Sequence, residues 1–123
     1  MLTKEQIEKA KNEAVTVDPH YGHDDSIRAA YEWLDAQKKI KHPSKIFHRL
    51  KHLIEEWAGI YVTPHDVKIA AYLHPAINGD YYPYYNISSR LTEPSTDRLK
   101  NIGEAFTHAT RESHKSSNYY VQE

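Results

Sequence analysis

His48 and His52 stand four residues apart, and Glu55 and Glu56 follow a turn later, so a helix here would bring two imidazoles and a carboxylate to one side. Ligands at that spacing suit a zinc-like divalent ion. The neighbours argue against it: the residue after His48 is Arg49, where a metalloprotease helix carries its glutamate base, and Arg49 and Lys51 repel a cation. A solvated polar face with no metal is the favoured reading. The chain of 123 residues has no Cys, four Gly and no Gly-x-Ser-x-Gly stretch. Thiolate chemistry, a serine elbow and a phosphate-cradling glycine loop are therefore excluded. With no acid, base and nucleophile at motif spacing, a non-enzymatic protein without a cofactor is expected.

The sharpest departure from average composition is electrostatic. Between Asp35 and Glu55 there are six cations, Lys38, Lys39, Lys41, Lys45, Arg49 and Lys51, three His and no acid, in a chain of formal net charge −1. Clustered cations replace the counterions condensed on phosphate, so DNA or RNA is the first partner to consider, and an acidic surface of a host protein the second. A further group stands out by type. Tyr81, Tyr82, Tyr84 and Tyr85 surround Pro83, and tyrosines in a loop can stack on unpaired bases, centre a protein interface, or sit half in the core.

Helical periodicity dominates the elements that must position these groups. Thr3 with Gln6 forms a capping box before Ile7, Ala10 and Ala14, and the stretch 17–22 breaks that helix. A second helix starts at Asp24 or Asp25 and runs to about Lys39, with Ile27, Ala30, Tyr31 and Leu34 inward. The third and central helix spans 44–57, its stripe formed by Ile46, Phe47, Leu50, Leu53, Ile54 and Trp57 and its end marked by Gly59. Thr63-Pro64-His65-Asp66 opens a fourth, with Val67, Ala70 and Ala71 inward. A short helix over 86–91 and a last one bearing Leu99, Ile102, Ala105, Phe106 and Ala109 complete the pattern. The expected fold is all-α: a single domain over 1–110 of five or six short helices around the central one, followed by a mobile tail over 111–123. No run approaches the roughly 20 apolar residues that span a bilayer, and Met1-Leu2-Thr3-Lys4-Glu5 resembles no secretion leader. A cytoplasmic location is expected.

Three resemblances add to this reading. The dipeptides His23-Asp24 and His65-Asp66 resemble the metal-binding pair of HD-superfamily phosphohydrolases, but both fall where an acid caps a helix, and capping is favoured. Residues 63–103 resemble the second and recognition helices of winged helix-turn-helix proteins, through the capped helix at Thr63 and the stretch Asn-Ile-Ser-Ser-Arg-Leu at 86–91. That likeness implies that Asn86, Ser88, Ser89 and Arg90 face DNA while Ile87 and Leu91 pack inward. The connection from His74 to Tyr85 is longer than such a turn, and no strand pair for a wing follows Leu91. The stretches 23–37 (His-Asp-Asp-Ser-Ile-Arg-Ala-Ala-Tyr-Glu-Trp-Leu-Asp-Ala-Gln) and 84–95 (Tyr-Tyr-Asn-Ile-Ser-Ser-Arg-Leu-Thr-Glu-Pro-Ser) resemble short uncharacterised proteins of enterobacterial phages and prophages. This implies a small accessory protein that binds a host protein or nucleic acid. Nucleic-acid binding through the basic band and 88–90 is the favoured function. Docking on a host protein through that band or the tyrosine loop is the alternative.

Overall fold

The computed structural model describes residues 1–13 and 23–123. Ala14 and the expected break at 17–22 lie outside the described residues. Regular structure is mostly helical. Helices α1 (Lys4–Glu13), α2 (Asp24–Ala36), α3 (Leu50–Ala58) and α4 (Pro64–Leu73) are followed by strand β1 (Thr92–Glu93), three short 3₁₀ segments and strand β2 (Val121–Gln122).

The helix ends follow local rules. Thr3 and Gln6 exchange both bonds of a capping box, at 2.8 and 3.1 Å. Thr63 and Asp66 do the same at α4, with Pro64 in the first turn. Both His-Asp pairs stand at helix starts, at α2 and α4. Gly59 ends α3 at φ +60°, in the left-handed region that glycine enters most easily, and its amide bonds Glu55 O.

α2 packs chiefly on α4, α1 lies against α4, and α3 adjoins both α2 and α4. Leu50, Leu53, Ile54 and Trp57 of α3 are buried together with Trp33 and Leu34 of α2 and Val67, Ile69 and Ala70 of α4. The indoles do not bury a bare N–H: Trp57 Nε1 donates to Pro94 O at 3.0 Å and Trp33 Nε1 to the Tyr119 hydroxyl at 2.9 Å.

Four expectations are corrected. α3 begins at Leu50 rather than at 44, and Ile46 and Phe47 are 50% and 65% exposed. The chain before it is held in an extended course by long-range bonds, Ile40 N to Asn86 O and Ser44 N to Tyr85 O, which a helix from Ser44 would break. Residues 86–91 form no helix, because Ile87 pairs antiparallel with Lys39. The helix-turn-helix likeness therefore lacks its recognition helix. No continuous helix covers 99–109 either. Leu99 and Ile102 are buried as expected, but the chain turns at Phe106 (φ +63°) and donates Phe106 N to Ala58 O and His108 N to Gly59 O. Arg111 bonds Trp57 O, so with Phe106 N and His108 N this segment satisfies carbonyls at the end of α3 that a helix leaves without partners, and Thr110 adds a second bond to Glu55 O. Finally, the segment 111–123, expected as a free tail, is packed on the body. Tyr119 is buried, β2 pairs in parallel with β1, and Glu123 closes on Arg98.

Two substitutions test this architecture. Leu53→Ala should cost about 2–5 kcal/mol in chemical denaturation, the range for large core truncations; a loss under about 1 kcal/mol would remove α3 from the core. Gly59→Ala should destabilise by more than about 1 kcal/mol, because a Cβ would meet Phe106 Cα at 2.8 Å in addition to the φ penalty.

Candidate nucleic-acid interface

The bonds that undo two expected helices bring the two expected binding segments together. Lys39 bridges Ile87, Lys38 O accepts from Ser88 N at 2.8 Å, and Ser44 N donates to Tyr85 O at 3.0 Å. Segment 38–49 thus runs alongside 84–90. A third segment joins them from the C-terminus: Tyr120 N and Val121 N both donate to Leu91 O, and the Arg90 guanidinium sits 5.4 Å from the centre of the Tyr120 ring.

All three segments lack acids. No Asp or Glu occurs between Asp35 and Glu55, between Asp80 and Glu93, or between Glu112 and Glu123. Their convergence makes one face with cations and no carboxylate of its own. Two of the carboxylates at its margins bond elsewhere: Asp35 bonds His74 and Arg98, and Glu93 bonds His114 and Ser116.

The expected cations divide into two groups. Lys38, Lys41, Lys45 and Arg90 are exposed, and no ion pair involves them among the described residues. The others are turned to intramolecular work. Lys39 Nζ donates to Asp35 O, and burial lowers its pKa. Arg49 pairs with Glu56 at 3.6 Å, and Lys51 pairs with Glu55. Ser89 is exposed, Ser88 half-buried, and Asn86 buried inside the fold rather than facing outward.

The tyrosine loop splits as well. Tyr85 is buried, and burial raises its hydroxyl's pKa; Tyr82 is half-buried and accepts a bond from Lys51 N. Tyr81 and Tyr84 are exposed, and the Tyr84 ring meets Phe47 edge-on at 6.4 Å. Phe47, expected in the core, therefore joins the aromatic part of the face. His48 lies outside α3, so the helical spacing with His52 is not formed. No group of three or more metal-ligating side chains occurs among the described residues. Burial lowers the His48 pKa and favours its neutral ring, whose Nε2 is buried without a hydrogen-bond partner.

Lys115, Asn118 and Tyr120 were not among the residues expected here. Their sequence signal is the acid-free window itself, which low periodicity disguises as a tail. No family model matches the chain, and no curated protein or solved structure matches it either.

Docking of the C-terminal segment should be sensitive to acid. Burial pushes the Glu93 carboxyl up, but bonds from His114 and Ser116 outweigh it and hold its pKa below 4.5; the bond from Arg98 does the same for Glu123. The unfolded chain then binds more protons than the folded one, so this stabilisation is present above about pH 4.5 and is lost as pH falls through the lowered values. The melting temperature should fall between about pH 5 and pH 3, and Arg98→Met should flatten that dependence. Identical profiles for Arg98→Met and the parent would show that the ion pair contributes nothing.

Proposed function

We propose that the chain is a small non-enzymatic nucleic-acid-binding protein whose contact face is built from segments 38–49, 84–91 and 115–121. The observation that carries this reading is the convergence of three acid-free segments, with Lys38, Lys41, Lys45 and Arg90 exposed, Arg90 over the Tyr120 ring and Phe47 against Tyr84. Cations attract the phosphate backbone at long range, and aromatic rings accept bases at contact, a pairing typical of nucleic-acid surfaces. An overall charge of −1 does not oppose it, since the field close to a phosphate depends on the local face. Sequence-specific major-groove reading is not part of the proposal, because 86–91 offers no helix. One observation favours a second reading, docking on a host protein: Ile46 and Phe47 expose adjacent apolar side chains beside Tyr84.

Salt-dependent binding separates the two. The full chain should bind mixed-sequence DNA or RNA at about 50 mM salt and weaken steeply towards about 200 mM. Replacing Lys38, Lys41 and Lys45 together by Ala should flatten the log–log salt slope by about 2–3 units, while Lys4→Ala with Lys9→Ala on α1 should leave it unchanged. Absence of binding to any nucleic acid at about 50 mM salt would refute the proposal in favour of a protein partner.

A further inference from the structure

Clefts on this molecule differ in the charge they offer a ligand. One of about 680 Å³ is bordered by Tyr72, Tyr81 and Tyr82 but also by Glu13 and Asp80, and another of about 450 Å³ by Asp24, Asp25 and Glu104. Carboxylates in both repel a phosphate. A third, of about 560 Å³, has none. It opens in the face described above, where the three acid-free segments meet.

Its lining has distinct chemical parts. Leu91, 3% exposed, and Ile46 supply apolar surface. Tyr120 supplies an aromatic ring that is 73% exposed although the backbone beside it is fixed by bonds to Leu91 O. Arg90 stands over that ring, which restrains both side chains at one edge of the cleft. Ser89 and Asn118 add a hydroxyl and an amide. His48 also borders the cleft, and its Nε2 is buried with no hydrogen-bond partner.

We propose that this cleft seats an unpaired nucleobase of a single-stranded nucleic acid. The base stacks on Tyr120 against the apolar wall, its edge meets the polar groups of Ser89 and Asn118, and the adjoining phosphate lies on Arg90. The inference rests on the nucleic-acid reading above and sharpens it to one class of ligand. A duplex cannot fill such a cleft without opening, because its base faces are covered by their neighbours. Single strands present those faces freely.

The test is fluorescence anisotropy of the full chain with labelled single-stranded DNA, single-stranded RNA and duplex DNA of one sequence, about 12 nucleotides long, at about 50 mM salt. Single strands should bind at least about tenfold tighter than duplex. Tyr120→Ala should remove that preference and Tyr120→Phe should keep it, since stacking needs the ring and not the hydroxyl. Tighter RNA than DNA binding means that the ribose hydroxyl is also read; equal binding means that base and phosphate suffice, and both support the cleft. Because Tyr120 is exposed, its truncation should not alter the melting temperature by more than a few degrees; Arg90→Gln provides the same test without touching the ring. Duplex binding as tight as single-strand binding, or a Tyr120→Ala variant with full single-strand preference, would overturn the cleft and leave the basic face standing. Absence of binding to all three probes would overturn both.

Discussion

A single buried amide organises the irregular half of this fold. Asn86 makes five hydrogen bonds: its Oδ1 accepts from Asn78 N, its Nδ2 donates to Ile40 O and Ala76 O, its own N–H donates to Asn78 O, and its carbonyl accepts from Ile40 N. A side-chain amide can use its donors and acceptor in this way only where backbone groups lack partners of their own, and two non-helical stretches, at Ile40 and at 76–78, supply them. Gln37 repeats the device one step away, bonding Trp33 O and the backbone N–H and C=O of Thr92. Between them these two amides tie the end of α2, the extended segment after it, the loop after α4 and the approach to β1. Loss of either would strand several buried backbone groups at once, which makes such networks all-or-none.

That constraint explains what could and could not be read from residue order. Features set within one turn of chain were legible: the capping box at Thr3, the N-cap and first-turn proline after Thr63, the acids opening α2, the glycine ending α3, and the buried stripe of Leu50, Leu53, Ile54 and Trp57. Ile46 and Phe47 continue the same period and gave no local sign of leaving the helix, yet bonds to residues some forty positions away extend that chain. The stretch 86–91 misleads for the same reason, since Asn86 looks like an outward polar residue until its partners are known. The C-terminal segment reads as a tail because its anchors, among them Tyr119 on Trp33 and Glu123 on Arg98, are long-range contacts rather than a periodic stripe.

The candidate site shows the same division. Composition exposed the cationic stretch 38–51 and the serine–arginine element at 88–90, but spacing could not say that they lie side by side. The lysines, by contrast, are partly sorted by spacing: Lys39 and Lys51 each stand four residues from an acid, Asp35 and Glu55, that they bond, and Lys41 and Lys45 do not. The face is thus a product of tertiary structure acting on a pattern that the chain carries openly: long windows without acids, interleaved with windows where acids and bases pair. Segregating charge in this way keeps the net charge near zero and still leaves a local positive field, which falls off over roughly 8 Å at physiological salt and so acts on a partner only at close range.

Mapping the contact surface residue by residue tests this account most directly. In an amide-resolved NMR titration of the full chain with a short single-stranded oligonucleotide, perturbations should appear together in 38–49, 84–91 and 115–121, with the exposed side of α1 and α4 unaffected. Shifts confined to α1 and α4, or to only one of the three segments, would contradict the claim that acid-free windows converge into one binding face.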